Sequence, residues 1–357
     1  RDLPTGHRAR PRRSAPSCLA GGRRARTAPP RPSPSIRTAP GAEPPANHGG
    51  SPLFSKAQTV SSARLAFARA LKAIGISTNE AAAEARLALA TILKVKYGSL
   101  VIEGDRLLGE AASVLELVLA DRLKRRPLQY ALGEADFFGM TFAVGEGVLI
   151  PRPETELIVE AVLARLQETG PRLIIEVGGG SGCIFVSLLK HFAGARALVF
   201  EVSPEAMRYC LQNAAQHQVE GRSRVLHQDF FAPETGAILR EAMAIEPVSG
   251  KPWPIAPIFV SNPPYIPAQT MASLEPEVQD YEPHIALCGM DEDGLGFYRG
   301  FAGALAELCP PGLDFFLEVG EGQADAVAEI FARHGFGDID IKEDLAGIKR
   351  IVSGRLN

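Results

Sequence analysis

The sequence has few of the residues on which membrane, disulfide and metal assignments depend. Its 357 residues include five cysteines and one tryptophan. The cysteines are scattered without a CxxC pair, which argues against a disulfide framework or a zinc site and favours buried, reduced thiols. No window approaches about 18 uninterrupted apolar residues, and no secretory signal is evident, so we expect a cytoplasmic protein without a membrane span.

Charge is divided unevenly along the chain. Residues 1–50 hold ten arginines against Asp2 and Glu43, a balance of +8, and the net charge of −3 therefore leaves −11 on residues 51–357. A body of that sign is poorly suited to binding DNA through phosphate contacts. We therefore expect no stable nucleic-acid partner.

Residues 1–55 are rich in Pro, Arg, Ala, Ser and Gly and have almost no large apolar side chain. Such a segment cannot bury a core and is predicted to be disordered. Its basic, acid-poor composition is one argument for an organelle transit peptide, but dense prolines oppose an amphipathic helix. Because the chain begins with Arg, we favour a mis-called start or translated upstream sequence and assign the segment no function.

The spacing of apolar residues is helical in residues 56–126 and β-like in parts of residues 127–154. Residues 56–126 carry apolar residues at spacings of three and four, as in "NEAAAEARLALATILK", and are predicted to form a small helical domain. Gly75 should end its first helix, and Ser77 or Asn79 should cap the second. Residues 127–154 are predicted to be a linker with a short β-hairpin, for which "MTFAV" and "GVLI" are the β-like runs.

Residues 155–357 alternate strands and helices, a pattern typical of an α/β fold whose parallel sheet is covered on both faces. We predict seven strands, of which the last two, in "DIDIKEDLAGIKRIVSGR", form a closing antiparallel hairpin. That hairpin argues against a simple dinucleotide-binding fold and favours the Rossmann-like methyltransferase variant. The stretch between Phe231 and the fourth strand, which includes Trp253, is interpreted as a surface excursion.

A glycine-rich loop, "IIEVGGGSGCIF", directly follows a strand and precedes a helix, where a ligand can approach the backbone and the helix N-terminus. Gly178, Gly180 and Gly182 follow the pattern GxGxG. A dinucleotide fingerprint would need glycine at the position of Cys183. With the preceding acid Glu176, the loop favours a nucleoside ligand with an amino-acid tail. A plain tight turn is the alternative.

Side chains at the ends of the next two strands extend this candidate nucleoside site. Glu201 ends the second strand, where its carboxylate can accept both hydroxyl hydrogens of a ribose. Asp229 and Phe230 follow the third strand, where the acid can accept from the exocyclic N–H of adenine and the ring can stack. The alternatives are a solvated acid at Glu201 and core packing of Phe230 or Phe231.

The stretch "VSNPPYIP" ends an apolar run with two adjacent prolines, which force a stiff, extended turn. The turn would present the side-chain carbonyl of Asn262, the backbone carbonyl of Pro263 and the ring of Tyr265. Two fixed acceptors orient a planar NH2 group and increase electron density on its nitrogen, and the aromatic face favours a cationic methyl donor. The alternative is a turn that only terminates the strand.

These motifs together resemble the HemK/PrmC protein-glutamine N5-methyltransferases. That family uses S-adenosylmethionine to methylate the glutamine of the Gly-Gly-Gln motif of class I peptide-chain release factors. The resemblance runs from about Lys56 to the C-terminus and rests on "RRPLQYALGEADFFG", "VLIPRPETELIVE", "EVGGGSG", "VSNPPYIP", "DGLGFYRG", "LEVGEGQ" and "DLAGIKRIVSGR". It implies a class I methyltransferase fold, S-adenosylmethionine as cofactor, and a release factor as partner that the N-terminal helices help to recognise. We expect a monomer.

The resemblance also implies roles for individual residues. Cofactor-binding positions would be Gly178, Gly179, Gly180, Ser181, Gly182, Glu201, Asp229, Phe230 and Asn262. The candidate catalytic residues are Asn262, Pro263 and Tyr265, which would hold the substrate amide while Pro264 shapes the turn. Further positions along the active-site wall would be Phe137, Pro151, Arg152 and Thr155, for which packing that links the domains is the alternative.

The chain departs from the family pattern at four of these motif positions. The family generally has Asp where Glu176 and Glu201 stand, Thr at Gly179, and often Trp at Phe230. We expect the ribose contact to survive at Glu201 with altered geometry, and Gly179 to loosen the loop.

Two other functions stay open from sequence alone. A nucleic-acid adenine N6 amino-group methyltransferase shares the NPPY motif, but it would need a basic face and a target-recognition domain, and residues 51–357 show neither clearly. A cofactor-binding protein without catalysis would be expected to lose the NH2-orienting acceptors, whereas Asn262 and Tyr265 are intact.

Overall fold

The computed structural model describes residues 52–357 apart from 171, 245–249, 251, 252, 254 and 290. The disorder predicted for residues 1–55 falls, up to residue 51, outside the described residues. For residues 52–55 it is wrong, because Phe54 is buried in the core of the N-terminal helices and stacks on Phe67. Of the four described cysteines, Cys183, Cys210 and Cys309 are buried as predicted, and Cys288 is partly exposed.

The first part of the described chain is helical, as its apolar spacing predicts. Its helices are α1 (Val60–Ala73), α2 (Thr78–Leu93), α3 (Ala111–Leu123) and the short α4 (Leu128–Leu132). Their apolar faces form a hydrophobic core of their own around Phe67, Leu89 and Leu115. The domain boundaries at residues 126 and 154 stay a prediction, and the core of these helices extends beyond residue 126 to Leu128 and Leu132 of α4.

Local signals explain how the first two helices are joined. The prediction for Ser77 is confirmed, because its side chain caps α2 by accepting the amide of Glu80. Asn79 lies inside α2 instead. Gly75 follows the end of α1 with a φ of 91°, a conformation that glycine adopts without steric cost.

A two-stranded antiparallel hairpin connects the helices to the sheet. It pairs β1 (Glu134–Phe137) with β2 (Met140–Ala143). The strand predicted in "MTFAV" is confirmed, whereas the strand suggested in "GVLI" is wrong, since residues 147–150 form no strand. Val148 and Ile150 are apolar because they pack against Tyr130 in a small core cluster, and not because they pair in a sheet.

The predicted seven-stranded sheet is confirmed. Its strands are β3 (Leu173–Val177), β4 (Arg196–Glu201), β5 (Ser223–His227), β6 (Ile258–Ser261), β7 (Asp314–Glu318), β8 (Phe336–Glu343) and β9 (Lys349–Leu356). Their order is β5-β4-β3-β6-β7-β9-β8, and β9 is antiparallel to both of its neighbours. The chain changes direction of winding between β3 and β6, so their carboxyl ends form a topological switch point.

Helices cover both faces of the sheet. They are α5 (Glu156–Thr169), α6 (Cys183–His191), α7 (Pro204–Gln216), α8 (Thr235–Ala244), α10 (Gly296–Leu308) and α11 (Ala324–Arg333). The short α9 (Pro276–Tyr281) lies in the long connection between β6 and β7 and belongs to neither core of the sheet. One core contains Ile158 of α5 and Leu188 of α6, and the other contains Phe301 of α10 and Phe331 of α11. The cavity described below lies between these layers at the strand ends.

The surface excursion predicted after Phe231 is wrong in its first half. There α8 packs on the sheet, and its Leu239 is fully buried. Trp253 is partly buried, and its indole N–H donates to the carbonyl of Ala242 at 3.2 Å. Apolar contact with the sheet therefore holds this part of the chain.

Candidate active site

A cavity of about 410 Å3 opens at the carboxyl ends of β3, β4, β5 and β6. Its volume lies in the range of sites for small organic molecules, and its position is the one expected for ligands of open α/β sheets. The predicted site residues that line it are Gly178, Gly180, Glu201, Asp229, Phe230, Asn262, Pro263 and Pro264. The fold therefore brings the glycine loop and the NPPY turn to one cavity.

The loop between β3 and α6 depends on glycines with left-handed backbone. Gly178, Gly180 and Gly182 have φ values of 77°, 55° and 81°. Other residues are strained in this region, so the glycines fix the path that exposes the backbone to the cavity. Ser181 is buried behind the loop, where its carbonyl accepts the side-chain amide of Asn213 at 2.8 Å.

Gly179 is packed against the next layer of the fold. A Cβ atom at this position would lie 2.6 Å from Cγ1 of Val199 and 3.3 Å from Sγ of Cys210. The expectation that Gly179 loosens the loop is therefore wrong, because neighbouring side chains fill the space that a larger residue would need.

Glu201 joins the glycine loop to the end of β4. Its Oε2 accepts the amide of Gly180 and its Oε1 accepts the amide of Ser203, both at 2.8 Å. The side chain is only 6% exposed, so the alternative of a solvated strand-end acid is wrong. A carboxylate oxygen can accept more than one hydrogen bond, so both oxygens keep capacity for a ligand.

Glu176 is a buried acidic residue just before the glycine loop. Both carboxylate oxygens lack a hydrogen-bond partner among the described residues, and the side chain is 1% exposed. Burial is the main cause that raises the pKa of Glu176 well above its usual value, the backbone amide of Phe185 acts against it, and the charge of Glu201 adds to it. Because an unsatisfied buried polar group is destabilising, a donor or cation from a ligand would be favoured here.

The aromatic residues after β5 divide into a buried and a partly exposed ring. Phe230 is 3% exposed and contacts Phe200 and Phe301 at centroid distances of 5.3 and 5.8 Å. Core packing therefore holds for Phe230, although it also borders the cavity. Phe231 is 37% exposed and lines the cavity as well. The Oδ1 of Asp229 accepts the amide of Phe231 at 2.9 Å.

The NPPY turn directly follows β6. Asn262, Pro263 and Pro264 line the cavity, and the Nδ2 of Asn262 donates to Oγ1 of Thr155 at 3.1 Å. Tyr265 is held differently: its hydroxyl donates to Oε1 of Glu318 at 3.2 Å, away from the residues that line the cavity. Stacking of the Tyr265 ring on a substrate amide stays a prediction.

The wall residues do not all reach the cavity. Phe137 is 1% exposed and packs against Phe142 in the core under the sheet. The Nη2 of Arg152 donates to the buried Glu282 at 2.6 Å, and Arg152 lines a separate groove beside the N-terminal helices. Pro151 lines a small separate cavity together with Ile150 and does not line the main cavity. The structure thus leaves the predicted substrate contacts of Phe137 and Arg152 without a place at the main cavity.

Sequence reasoning missed Glu318, which lies at the end of β7 behind the NPPY turn. It is 2% exposed, and its Oε2 accepts the hydroxyl of Thr155 at 2.6 Å. Burial raises the pKa of Glu318 to about 7, while the hydrogen bonds from Thr155 and Tyr265 act in the opposite direction. Glu318 ends β7 just as Glu201 ends β4, and Glu176 is the penultimate residue of β3, so an acid at the end of a strand is the signal that could have identified it.

A seven-stranded sheet with a closing antiparallel hairpin, a GxGxG loop after β3 and a buried acid ending β4 define a class I methyltransferase. Residues 62–133 match the family model described as the PrmC N-terminal domain.

Relatives in bacteria identify the family. The release factor glutamine methyltransferase of Geobacter sulfurreducens is 39% identical over 239 residues, which cover 67% of this chain and 76% of the relative. That of Thermodesulfovibrio yellowstonii is 36% identical over 273 residues, or 75% of this chain and 90% of the relative. The chain therefore belongs to the release factor glutamine methyltransferase family, and the predicted resemblance is confirmed.

One solved structure is also similar in sequence. The release-factor-specific protein-(glutamine-N5) methyltransferase from Alicyclobacillus acidocaldarius is 30% identical, with a TM-score of 0.33, and the match covers 60% of this chain and 98% of that one. The family assignment rests on the sequence matches and not on this superposition. Among the described residues, no helix is long and apolar enough to cross a membrane.

Proposed function

We propose that this chain transfers the methyl group of S-adenosylmethionine to the side-chain amide nitrogen, N5, of the glutamine in the Gly-Gly-Gln motif of class I peptide-chain release factors. The observation that carries the proposal is that Asn262 and Pro263 border the same cavity as the glycine loop and Glu201. Membership in a family whose members are named release factor glutamine methyltransferases supports the choice of substrate.

The residues present fit S-adenosylmethionine. Glu176 does not line the cavity, but it directly precedes Val177 and Gly178, which do, and its unpaired buried carboxyl would suit a cationic or N–H donor group such as the methionine part of the cofactor. The two oxygens of Glu201 suit the vicinal hydroxyls of ribose, and the rings of Phe230 and Phe231 border the space for adenine. S-adenosylmethionine supplies an electrophilic methyl group when it is bound.

The NPPY turn would orient the nucleophile. The side-chain carbonyl of Asn262 and the backbone carbonyl of Pro263 would each accept one hydrogen of the substrate amide. These two hydrogen bonds direct the nitrogen towards the methyl donor and increase its electron density, which matters because resonance makes an amide nitrogen a poor nucleophile. Asn262 is itself fixed by Thr155, so little reorganisation is needed when the substrate arrives.

We assign release-factor recognition to the helices of residues 56–126, with the linker 127–154 next to them and catalysis in residues 155–357. Residues 51–357 carry a charge of −11, which suits a basic loop on the protein partner. The enzyme is proposed to act as a monomer on a protein, and no observation in the described residues favours adenine in nucleic acid as the methylated group.

A transfer assay tests this proposal. Wild-type protein, Asn262→Ala and the control Asn357→Ala, at the exposed C-terminus, are incubated with labelled S-adenosylmethionine and one of three substrates. These are a release factor, the same factor with its Gly-Gly-Gln glutamine changed to alanine, and adenine-containing DNA. We expect label only on the unaltered release factor, and a rate for Asn262→Ala that is lower by about 100-fold or more. Label on DNA alone, or equal transfer by Asn262→Ala, would contradict the proposal.

A further inference from the structure

A chain of hydrogen bonds runs behind the NPPY turn. The Nδ2 of Asn262 donates to Oγ1 of Thr155 at 3.1 Å, and the Thr155 hydroxyl donates to Oε2 of Glu318 at 2.6 Å. The other carboxylate oxygen accepts the hydroxyl of Tyr265 at 3.2 Å. Thr155 and Glu318 are each 2% exposed, so water does not compete for these bonds.

The direction of this chain depends on the charge of Glu318. An ionised carboxylate can only accept, so the single hydroxyl hydrogen of Thr155 must point to Glu318. Thr155 can then only accept from Asn262, and the NH2 end of the Asn262 amide must face Thr155. The carbonyl end of the amide is left for the cavity that Asn262 lines.

We propose that Glu318, acting through Thr155, is a positioning residue that makes Asn262 present its carbonyl oxygen, and so selects a glutamine amide over a glutamate carboxylate at the reacting position. The inference rests on the proposed function, because it assigns to Asn262 the role of accepting a substrate N–H. A reversed Asn262 would present an NH2 group, which favours a carboxylate instead.

Several ionisable groups face Glu318 and set its charge. Burial raises its pKa to about 7, Glu154 acts in the same direction, and Arg350 acts against it. The neighbouring groups on the other packed elements are Tyr265, Tyr298 and Cys183. When Glu318 binds a proton, it can donate to Thr155, and the orientation of Asn262 is no longer enforced. The preference for a glutamine amide over a glutamate carboxylate should therefore weaken as the pH falls below about 7.

Binding measurements test the inference without methyl transfer. Calorimetry at pH 8.5 and pH 6 gives the affinity for a release factor and for its variant with glutamate in the Gly-Gly-Gln motif. We expect wild type at the higher pH to prefer glutamine by roughly 3- to 10-fold, the net value of one hydrogen bond. The preference should shrink at pH 6, and it should be lost at both pH values in Thr155→Val and Glu318→Gln.

Conservative and remote variants separate positioning from stability. Thr155→Ser keeps the hydroxyl and should keep the preference for glutamine. Thr169→Val removes a hydroxyl that donates to the carbonyl of Arg165 at 2.8 Å near the end of α5, and should leave the preference unchanged. If Glu318→Gln does not fold, Thr155→Val alone tests the inference, because either change is expected to abolish the preference for glutamine.

Turnover distinguishes the inference from the function on which it rests. Thr155→Val and the double variant with Glu318→Gln should lose kcat to the same extent, because both break one chain of bonds. Wild-type protein that methylates the release factor while both variants keep its preference and pH profile would overturn this inference alone. Wild-type protein that transfers no methyl group to the release factor would overturn the proposed function.

Discussion

Single side chains at the cavity are held by backbone groups as much as by one another. Glu201 accepts the amides of Gly180 and Ser203, so its carboxylate shapes the glycine loop, and in the proposed function it would also offer oxygens to a ribose. Glu201 would therefore contribute to cofactor binding in two ways, by direct contact and by fixing the loop.

Replacement of Glu201 separates these contributions. Glu201→Ala removes the ribose acceptor and leaves two amides unpaired, so we expect the affinity for S-adenosylmethionine to fall roughly 10- to 100-fold. Glu201→Asp keeps the charge on a shorter side chain. Its affinity for S-adenosylmethionine should lie between those of wild type and the alanine variant. Calorimetric titration with the cofactor measures both, and unchanged binding by the alanine variant would contradict a role in the site.

Position 179 is predicted to be intolerant of a side chain. A Cβ atom in Gly179→Ala would lie 2.6 Å from Cγ1 of Val199, so we expect a loss of about 1–3 kcal/mol in the free energy of unfolding. Urea denaturation measures the loss. Adding Val199→Ala creates space, so the double variant should lose less than the sum of the two single losses, and simple additivity would show that the contact is not the cause.

Glu318 should also make stability depend on pH. Its pKa is about 7 when folded against a usual value of 4.5, so the folded state binds the proton more tightly. Its stabilising contribution is complete below about pH 4.5 and is lost as the pH rises to about 7. Glu318→Gln does not titrate, so its free energy of unfolding relative to wild type should rise over this interval by roughly 3 kcal/mol at most. Parallel curves for the two proteins would contradict the assignment.

At the scale of elements, α9 is tied to the N-terminal helices by charge. The buried Arg122 of α3 donates to both carboxylate oxygens of Glu84 in α2, at 2.7 and 2.9 Å, and to Glu277 of α9 at 3.1 Å. Arg125 also donates to Glu277, at 2.7 Å. Residues just after α9, among them Pro283, line the cavity. The helices proposed to recognise the release factor are thereby connected to the rim of the active site.

Removal of Glu277 tests this connection. Glu277→Ala leaves Arg122 paired with Glu84 only, so we expect a loss of about 1–3 kcal/mol in stability and a higher KM for the release factor. Affinity for S-adenosylmethionine should change little. The matched control is Glu275→Ala, whose exposed side chain lies 3.6 Å from Arg125 and should contribute little. Equal effects of the two variants on KM would contradict the connection.

Elements with a strong period or a contiguous motif could be predicted from sequence, and others could not. The seven strands and the helices from α1 to α3 follow their apolar spacing. In α8 and α10 the glycines Gly236, Gly300 and Gly303 weaken the helical signal, and packing on the sheet decides instead. The apolar run at Val148 was misinterpreted because burial alone produces the same pattern as a strand.

The candidate active site could likewise be predicted only where its residues belong to local motifs. The glycine loop, Glu201 and Asn262 belong to short motifs at strand ends, where the topology of an α/β sheet brings them together. The bond between Thr155 and Glu318 joins residues 163 positions apart, and no local pattern indicates it. Phe137 and Arg152 were assigned by resemblance alone, and the described contacts place them in a core and at a separate groove.

In the molecule as a whole, the candidate active site lies at the edge of the two hydrophobic cores that flank the sheet. One core under the sheet and one above it hold β3 and β6 rigidly, and the cavity opens at their carboxyl ends. The third core gives the N-terminal helices a rigid surface of their own. An acidic body with this arrangement suits a basic loop of a protein partner inserted towards the NPPY turn.

The most direct test of the central claim is tandem mass spectrometry of a release factor after incubation with S-adenosylmethionine and this protein. We expect a single methyl group on the side chain of the Gly-Gly-Gln glutamine with wild-type protein, and almost none with Asn262→Ala over the same time. A methyl group on another residue, or equal methylation of the glutamine by Asn262→Ala, would contradict it.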